Sequence, residues 1–235
     1  MGDWEAVHAH PDGESTVRRL ALTAAEDGFD GVVVRNHGDS PAEFDPAAVS
    51  EESGVDVVGG VEVRAEERSR VAGLIGSHRG DRTVVCVHGG PERINRLACT
   101  DPRVDVLAHP THGDGVDHVL VRSAADNGVA LEFNLARVLR AAGGRRVRAL
   151  RRLRTLRELL EKYDTPHVVS ADPASHLQLR APRELAAVGS VVGADPAWLR
   201  EGLAEWGRIV ERNRTRASES FIQPGVRRGR YEEEP

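Results

Sequence analysis

The sequence predicts one α/β domain over residues 1–214, a TIM-like barrel of seven or eight parallel strands, followed by a disordered tail over residues 215–235. Short Val-rich runs alternate along the chain with segments of helical periodicity, which is typical of a parallel sheet covered by helices. Polar side chains stand at the end of every Val-rich run, and neither a GxGxxG nor a GxxxxGK[ST] motif is present. These observations favour a closed barrel over an open nucleotide-binding sheet.

The predicted strands are short and rich in valine, as expected for a sheet that is buried on both faces. Apolar residues make up 40% of the chain and aromatic residues only 4%, so Val, Leu and Ala must fill the core. The strands are expected at Glu5–Ala9, Gly31–Arg35, Asp56–Val63, Thr83–Val87, Val104–Ala108, Ala130–Phe133 and His167–Ser170.

Helices are predicted between the strands wherever apolar residues recur every three or four positions. Gly28, Gly54 and Gly128 stand where such helices would end, and Asp195 is a suitable N-cap before Pro196. Gly143 and Gly144 are expected in a loop that carries Arg145 and Arg146. The helices are expected at Thr16–Asp27, Glu92–Cys99, Val116–Asn127, Val147–Tyr163, Pro182–Val192 and Pro196–Arg214.

Composition points to a reduced, cytoplasmic protein. There is no uninterrupted apolar run long enough for a membrane span, no secretory signal at the N-terminus, and only two cysteines, Cys86 and Cys99. The net charge is −5, and Lys162 is the single lysine. This bias fits either a salt-adapted cytoplasm or GC-rich codon usage. The acidic total argues weakly against RNA binding.

In a β/α barrel the functional face lies at the carboxyl ends of the strands, and here these ends carry imidazoles and carboxylates. Such groups suit Zn²⁺, Mn²⁺ or Fe²⁺, although a single histidine is more often a hydrogen-bonded structural residue. Asn36, Glu132 and Asn134 add further polar groups. The candidate metal ligands, forming a complete or a vestigial site, are His8, His10, His37, Glu62, His88, His109 and Asp172.

The order of these residues resembles the polymerase-and-histidinol-phosphatase superfamily, whose members are metal-dependent phosphoesterases on a distorted seven-stranded β/α barrel. Two positions depart from the superfamily's pattern for a complete trinuclear site. Asn36 stands where an acidic residue is usual, and the last motif reads Asp172-Pro173-Ala174 in place of Asp-x-His.

Two longer segments resemble one branch of that superfamily, the ribonuclease P component 3 (thirty-kilodalton subunit) family of archaea and eukaryotes. They are VHGGPERINRLACTDPRVDVLAHP (Val87–Pro110) and LLEKYDTPHVVSADPASHLQLRAPRELAAVGSVVG (Leu159–Gly193). The resemblance implies a ribonucleoprotein subunit that supports a catalytic RNA in removing the 5′ leader of precursor tRNA. It implies no catalytic residue in this chain and no cofactor of its own, with Mg²⁺ serving the RNA.

The resemblance also implies three partners: the ribonuclease P RNA, precursor tRNA, and a second protein subunit of the Pop five type, with which a dimer of dimers can form. Two alternatives stay open. One is a stand-alone metal-dependent phosphoesterase with Zn²⁺ or Mn²⁺ at the rim, and the other is a structural adaptor without RNA contact.

Arginines are concentrated between Arg137 and Arg157, on the helix predicted from Val147 and just before it. Arginine binds phosphate bidentately, so several on one helix face could hold an RNA backbone, whereas the ordinary interpretation is a solvated helix face. Aromatic residues are not interleaved, which argues against stacking on bases. The predicted RNA-binding residues are Arg145, Arg146, Arg148, Arg151 and Arg152, with Arg180 and Arg183 near Asp172.

Overall fold

The computed structural model describes residues 2–113 and 116–218, together with the backbone of residues 221–223 and 226–227. Seven parallel strands follow one another around the sheet in chain order, which confirms the TIM-like barrel and selects seven strands. They are β1 (Trp4–Val7), β2 (Gly31–Val34), β3 (Asp56–Val63), β4 (Val84–His88), β5 (Val106–Ala108), β6 (Ala130–Asn134) and β7 (His167–Ser170).

Helices cover the outside of this sheet, and none in the described part of the chain is long and apolar enough to cross a membrane. They are α1 (Val17–Asp27), α2 (Pro46–Ser53), α3 (Arg68–His78), α4 (Glu92–Thr100), α5 (His118–Asn127), α6 (Ala136–Arg140), α7 (Gly143–Lys162), α8 (Pro182–Ser190) and α9 (Pro196–Ala217).

Three helices had no predicted range, because their apolar stripes are weak, although Gly54 was expected to end a helix and does end α2. No residue of α2 is buried, and α3 buries only Val71 and Ile75. The third, α6, is one short segment of five residues. Without several buried positions at helical spacing, the sequence offers no periodic signal.

The long helix α7 corrects two predictions. It begins at Gly143, so Arg145 and Arg146 lie in its first turn and not in a loop. Glycine is a poor helix former, which is why the sequence indicated a later start. Val147 was predicted in the buried stripe but is 56% exposed, and Ala149 is buried instead.

Each strand alternates between two cores, as the period-two geometry of a strand requires. The larger core lies between the sheet and the outer helices and includes Val7, Val32 and Leu131. The smaller core fills the barrel and includes Ala6, Val33 and Cys86. Trp206, Ile209 and Val210 of α9 join the inner core, so the last long helix closes the amino-terminal end of the barrel.

The edges of the sheet, β1 and β7, are joined by side-chain and loop contacts. The carboxylate of Glu5 accepts hydrogen bonds from the Ser170 hydroxyl (2.6 Å) and the Ala171 backbone N–H (3.0 Å). Nearer the carboxyl end, the His8 N–H donates to the Pro173 carbonyl (3.0 Å). These bonds close the barrel where strand pairing does not.

The predicted tail, residues 215–235, lies largely outside the described residues. Helix α9 continues to Ala217, three residues past the predicted end at Arg214. Beyond it, β8 (Phe221–Gln223) pairs antiparallel with β9 (Val226–Arg227).

Candidate functional site at the barrel rim

The carboxyl ends of the seven strands bring most of the predicted metal ligands to one rim. Glu62 is at its centre and is completely buried. One oxygen, Oε1, lies 2.5 Å from His88 Nδ1, 3.3 Å from His109 Nε2 and 3.6 Å from His37 Nε2. Burial alone would raise the pKa of Glu62, but Arg35 and these imidazoles hold it well below its usual range.

Asp12 is a rim residue that the sequence analysis missed. Its Oδ2 lies 2.7 Å from His8 Nδ1 and 2.9 Å from His37 Nδ1, and it also accepts the His37 backbone N–H at 2.9 Å. Burial opposes a charge on His8, but Asp12 and Asp172 together raise the pKa of His8 to about 9. Asp12 follows β1 in a loop, where strand-end reasoning did not look.

His10 does not join the rim cluster. Strand β1 ends at Val7, two residues before the predicted end at Ala9, so strand geometry does not carry His10 to the side of His8. Its side chain is exposed.

The sequence analysis also did not identify Arg35 as a site residue. Among the described residues, Arg35 is the only arginine whose side chain is completely buried. It follows β2 and lies inside the barrel beneath the rim. Its Nη2 is 2.6 Å from Glu132 Oε1 and 2.8 Å from Asp172 Oδ1, and its Nη1 is 3.4 Å from Glu62 Oε2. The Trp206 ring lies below, 5.7 Å from the guanidinium carbon to the ring centroid.

Two ligand candidates are held in left-handed backbone conformations just after their strands. Asp172 has φ 50° and His109 has φ 51°. Burial alone would raise the pKa of Asp172, but a hydrogen bond with His8 and the charge of Arg35 lower it. Burial opposes protonation of His109, yet Glu132 and Glu62 raise its pKa.

His112, which was not predicted, extends the rim outward. Its ring stacks on His109 with centroids 4.5 Å apart and an interplanar angle of 27°. Burial and the neighbouring His109 lower the pKa of His112 to about 3, so it is neutral at physiological pH.

The described part of the rim offers ligands for a metal ion on its histidine side. Among the described residues, two groups bring three ligand atoms within 4.8 Å of one another: His8, Asp12 and His37, and His37, Glu62 and His88. The groups share His37. The inner carboxylates, Glu132 and Asp172, are already hydrogen-bonded to Arg35 and do not fit a metal ion.

An arginine-lined cavity of about 640 Å³ opens beside this rim and reaches Asp172. We call it the arginine pocket. Helix α6 and the start of α7 form one wall, and Thr111, His112 and Asn134 also line it. The arginines that line it are Arg137, Arg140, Arg145, Arg148 and Arg152.

Two of these arginines are fixed by backbone carbonyls. Arg140 donates to the carbonyls of Ala171 and Asp172, both at 2.9 Å, and Arg152 donates to that of Thr111 at 3.0 Å. Arg148 and Arg152 are four residues apart on α7 and therefore share a face. The pocket is thus preorganised on its rim side.

The other predicted RNA-binding arginines lie outside the arginine pocket. Arg146 donates to the Ala141 carbonyl at 2.7 Å, and Arg151 is exposed on α7. Arg180 bonds the Leu177 carbonyl at 3.0 Å, and Arg183 is exposed in the first turn of α8.

The barrel and its rim define the class of the chain as a seven-stranded β/α barrel with histidines and carboxylates at the carboxyl ends of its strands. Among solved structures, a histidinol phosphate phosphatase from Lactococcus lactis, crystallised with zinc, L-histidinol and phosphate, aligns with a TM-score of 0.55 and 15% identity over 80% of this chain and 93% of that one. A chain of an archaeal ribonuclease P solved with mature tRNA aligns with a TM-score of 0.82 and 24% identity over 99% of both chains.

Within that class, the chain belongs to the RNase P subunit p30 family, whose model matches residues 5–218. The ribonuclease P protein component 3 of Haloarcula marismortui is 60% identical over 95% of this chain and 96% of that protein. That of Methanosarcina mazei is 37% identical over 94% and 92%. The chain is therefore a protein subunit of ribonuclease P, a ribonucleoprotein endoribonuclease of tRNA processing.

Proposed function

We propose that the arginine pocket binds backbone phosphates of the ribonuclease P RNA and so fixes this subunit on the catalytic RNA. The observation that carries the proposal is the convergence of five guanidinium groups on one cavity in a chain whose net charge is −5. In an acidic protein such a local concentration of positive charge selects an anionic partner.

The chemistry of the lining favours phosphate over base recognition. Guanidinium groups match phosphate oxygens bidentately, and no Phe, Tyr or Trp is among the residues that line the pocket. Asp172 lies at the edge of the pocket, where it pairs with Arg35 at 2.8 Å and His8 at 3.2 Å and, at 3.9 Å, with Arg140 of the pocket. Contacts of this kind position a folded RNA without reading its sequence.

The test compares arginines of one helix. Arg145→Ala with Arg148→Ala removes two pocket arginines, and Arg154→Ala is the matched control because Arg154 is exposed on α7 outside the pocket. Binding to the ribonuclease P RNA is measured by filter retention across a salt series. In a plot of log binding constant against log salt concentration, the slope of the pocket variant should be smaller by about one for each arginine removed. The variant should also bind roughly 10- to 100-fold more weakly.

Unchanged affinity and slope in the pocket variant would refute the proposal. A defect seen only with isolated precursor tRNA would assign the pocket to the substrate instead of the catalytic RNA. Arg151→Ala, Arg180→Ala and Arg183→Ala test whether the proposed surface extends beyond the pocket, with smaller losses expected.

We also propose a second protein subunit of the Pop five type as a direct partner, in a dimer of dimers, and a cytoplasmic location for the particle. Reconstitution tests the partner: this chain, that subunit and the RNA are mixed, and 5′ cleavage of precursor tRNA is measured at limiting Mg²⁺. Stimulation that requires both proteins is expected. Stimulation by this chain alone would contradict the partner assignment.

For the cofactor, we propose that this role needs only the Mg²⁺ used by the RNA. The group His37, Glu62 and His88 nevertheless supports a second candidate function, a metal-dependent phosphoesterase. Those three residues would hold one Zn²⁺ or Mn²⁺, which would supply Lewis acidity. Tightly held metal together with hydrolysis of a phosphate monoester by the purified chain would favour this second function.

A further inference from the structure

The buried guanidinium of Arg35 lies among three acidic side chains inside the barrel. Glu62 and Glu132 are completely buried, and the Asp172 side chain is 16% exposed. Three carboxylates in such surroundings need a cation, because isolated buried charges are strongly disfavoured. A metal ion or a cationic side chain can supply that charge, and here the side chain of Arg35 does.

The geometry leaves no place for an ion between the inner carboxylates. Arg35 Nη2 donates to Glu132 Oε1 at 2.6 Å and to Asp172 Oδ1 at 2.8 Å, so its positive charge already lies between these two oxygens. Any divalent ion there would also stand against the positive charge of the guanidinium. The other oxygen of Glu132 is used by the backbone N–H of His109 at 2.9 Å.

The hydrogen bonding of Arg35 is incomplete on the side of Glu62, as expected when a planar guanidinium takes the place of a spherical ion. Its Nε and Nη1 make no hydrogen bond within the described residues, and neither does Glu62 Oε2. All three atoms are buried. A planar guanidinium satisfies two carboxylates here, whereas its Nη1 lies 3.4 Å from Glu62 Oε2 in an ion pair without a hydrogen bond.

We propose that Arg35 is the built-in cation of the barrel: it occupies the position at Glu132 and Asp172 where a metal ion would otherwise bind. The rim is thereby limited to one divalent ion, on its histidine side at His37, Glu62 and His88. The inference concerns the barrel interior and is independent of the arginine pocket.

The experiment measures Mn²⁺ bound per chain after equilibrium dialysis of the full-length protein. Wild type should bind at most one ion, and Glu132→Gln should leave that number unchanged. Arg35→Ala should bind one ion more than wild type, because the inner carboxylates become free. Arg35→Lys is the matched control, since it keeps a cation in place and should gain none.

A further variant assigns the gained ion. Arg35→Ala combined with Glu132→Gln should return to the wild-type number. Because Arg35→Ala could fail to fold, its folding is measured by circular dichroism with and without Mn²⁺. If the variant folds only with Mn²⁺, the ion has replaced the guanidinium, as proposed.

Three results would overturn the proposal. One is an Arg35→Ala variant that folds but gains no ion, and another is Arg35→Ala that stays unfolded with or without Mn²⁺. The third is a loss of wild-type metal binding in Glu132→Gln, which would place an ion at the inner carboxylates despite Arg35.

Discussion

Glu5 in the first strand of the barrel accepts a 2.6 Å hydrogen bond from the hydroxyl of Ser170 in the last. The Ser170 oxygen in turn accepts the backbone N–H of Asp172 at 2.7 Å. This chain of bonds connects the closure of the barrel to the position of a rim carboxylate that contacts Arg35.

The first prediction concerns this closure. Burial raises the pKa of Glu5 to about 7, so the group is largely uncharged at pH 5. At that pH Glu5→Ala should lower the free energy of unfolding by about 1–3 kcal/mol, because the Ser170 hydroxyl and the Ala171 N–H lose their acceptor while no buried charge is removed. Urea unfolding gives the value, and exposed Glu43→Ala is the control. Equal midpoints for both variants would contradict the closing role.

The second prediction is a pH dependence of stability from His167. Its ring stacks on Trp198 at 3.7 Å between centroids, and burial lowers its pKa to about 4. The unfolded chain, with a pKa near 6.5, binds more protons between these values, so stability falls as pH drops from about 6.5 to 4, by up to about 3 kcal/mol.

His167→Phe keeps an aromatic ring on Trp198 but does not titrate, so its stability should fall less over that interval. Thermal unfolding of both proteins at pH 4.5, 5.5 and 7 measures the difference in slope. His118→Phe, at an exposed position, should keep the wild-type slope. If stability falls equally with pH in wild type and in His167→Phe, another group causes the loss of stability at acidic pH.

The third prediction concerns the floor of the barrel. The buried indole N–H of Trp206 donates to the Val169 carbonyl at 3.0 Å. Trp206→Phe should therefore lower the free energy of unfolding by about 1–3 kcal/mol, because that carbonyl loses its donor and Arg35 loses part of its cation–π contact. Urea unfolding measures this free energy. Trp198→Phe, at a partly exposed tryptophan, is the comparison and should lower the free energy of unfolding less.

The fourth prediction separates geometry from charge in the arginine pocket. Arg140 holds the carbonyls of Ala171 and Asp172 at once, which a lysine ammonium cannot reproduce in the same planar arrangement. Arg140→Lys should weaken RNA binding several-fold with an unchanged salt slope, whereas Arg140→Ala should also flatten the slope. Wild-type affinity in the lysine variant would mean that charge alone matters at this position.

Strand order and most of the rim could be predicted from the sequence because both depend on local pattern. Val-rich runs mark buried parallel strands, and the groups that follow them, such as Glu62 and His88, must meet at one end of a barrel. Helix α7 was predicted from its leucines, but its first turn was not, because Gly143 and Gly144 give no helical signal.

Arg35 and Asp12 show why the remainder of the site was out of reach. Arginine is normally exposed, so one at the end of a strand is not expected inside a barrel unless its three acidic partners, distant in sequence, are known. Asp12 lies in a loop whose path decides which side chain meets His8, and here it is Asp12 and not His10. Arg137 and Arg140 were noticed only as part of a charge run, since their convergence on a cavity depends on how α6 packs beside α7.

The floor formed by α9 has a consequence for synthesis. Trp206, Ile209 and Val210 complete the inner core, and the Glu5–Ser170 bond joins residues 165 positions apart. A ribosome-bound chain therefore holds an open sheet until β7 has emerged, and the barrel lacks its floor until α9 has emerged as well. If translation stops before Pro196, the released chain lacks α9 and exposes apolar side chains of the inner core. Chaperones and proteases are expected to bind such a chain.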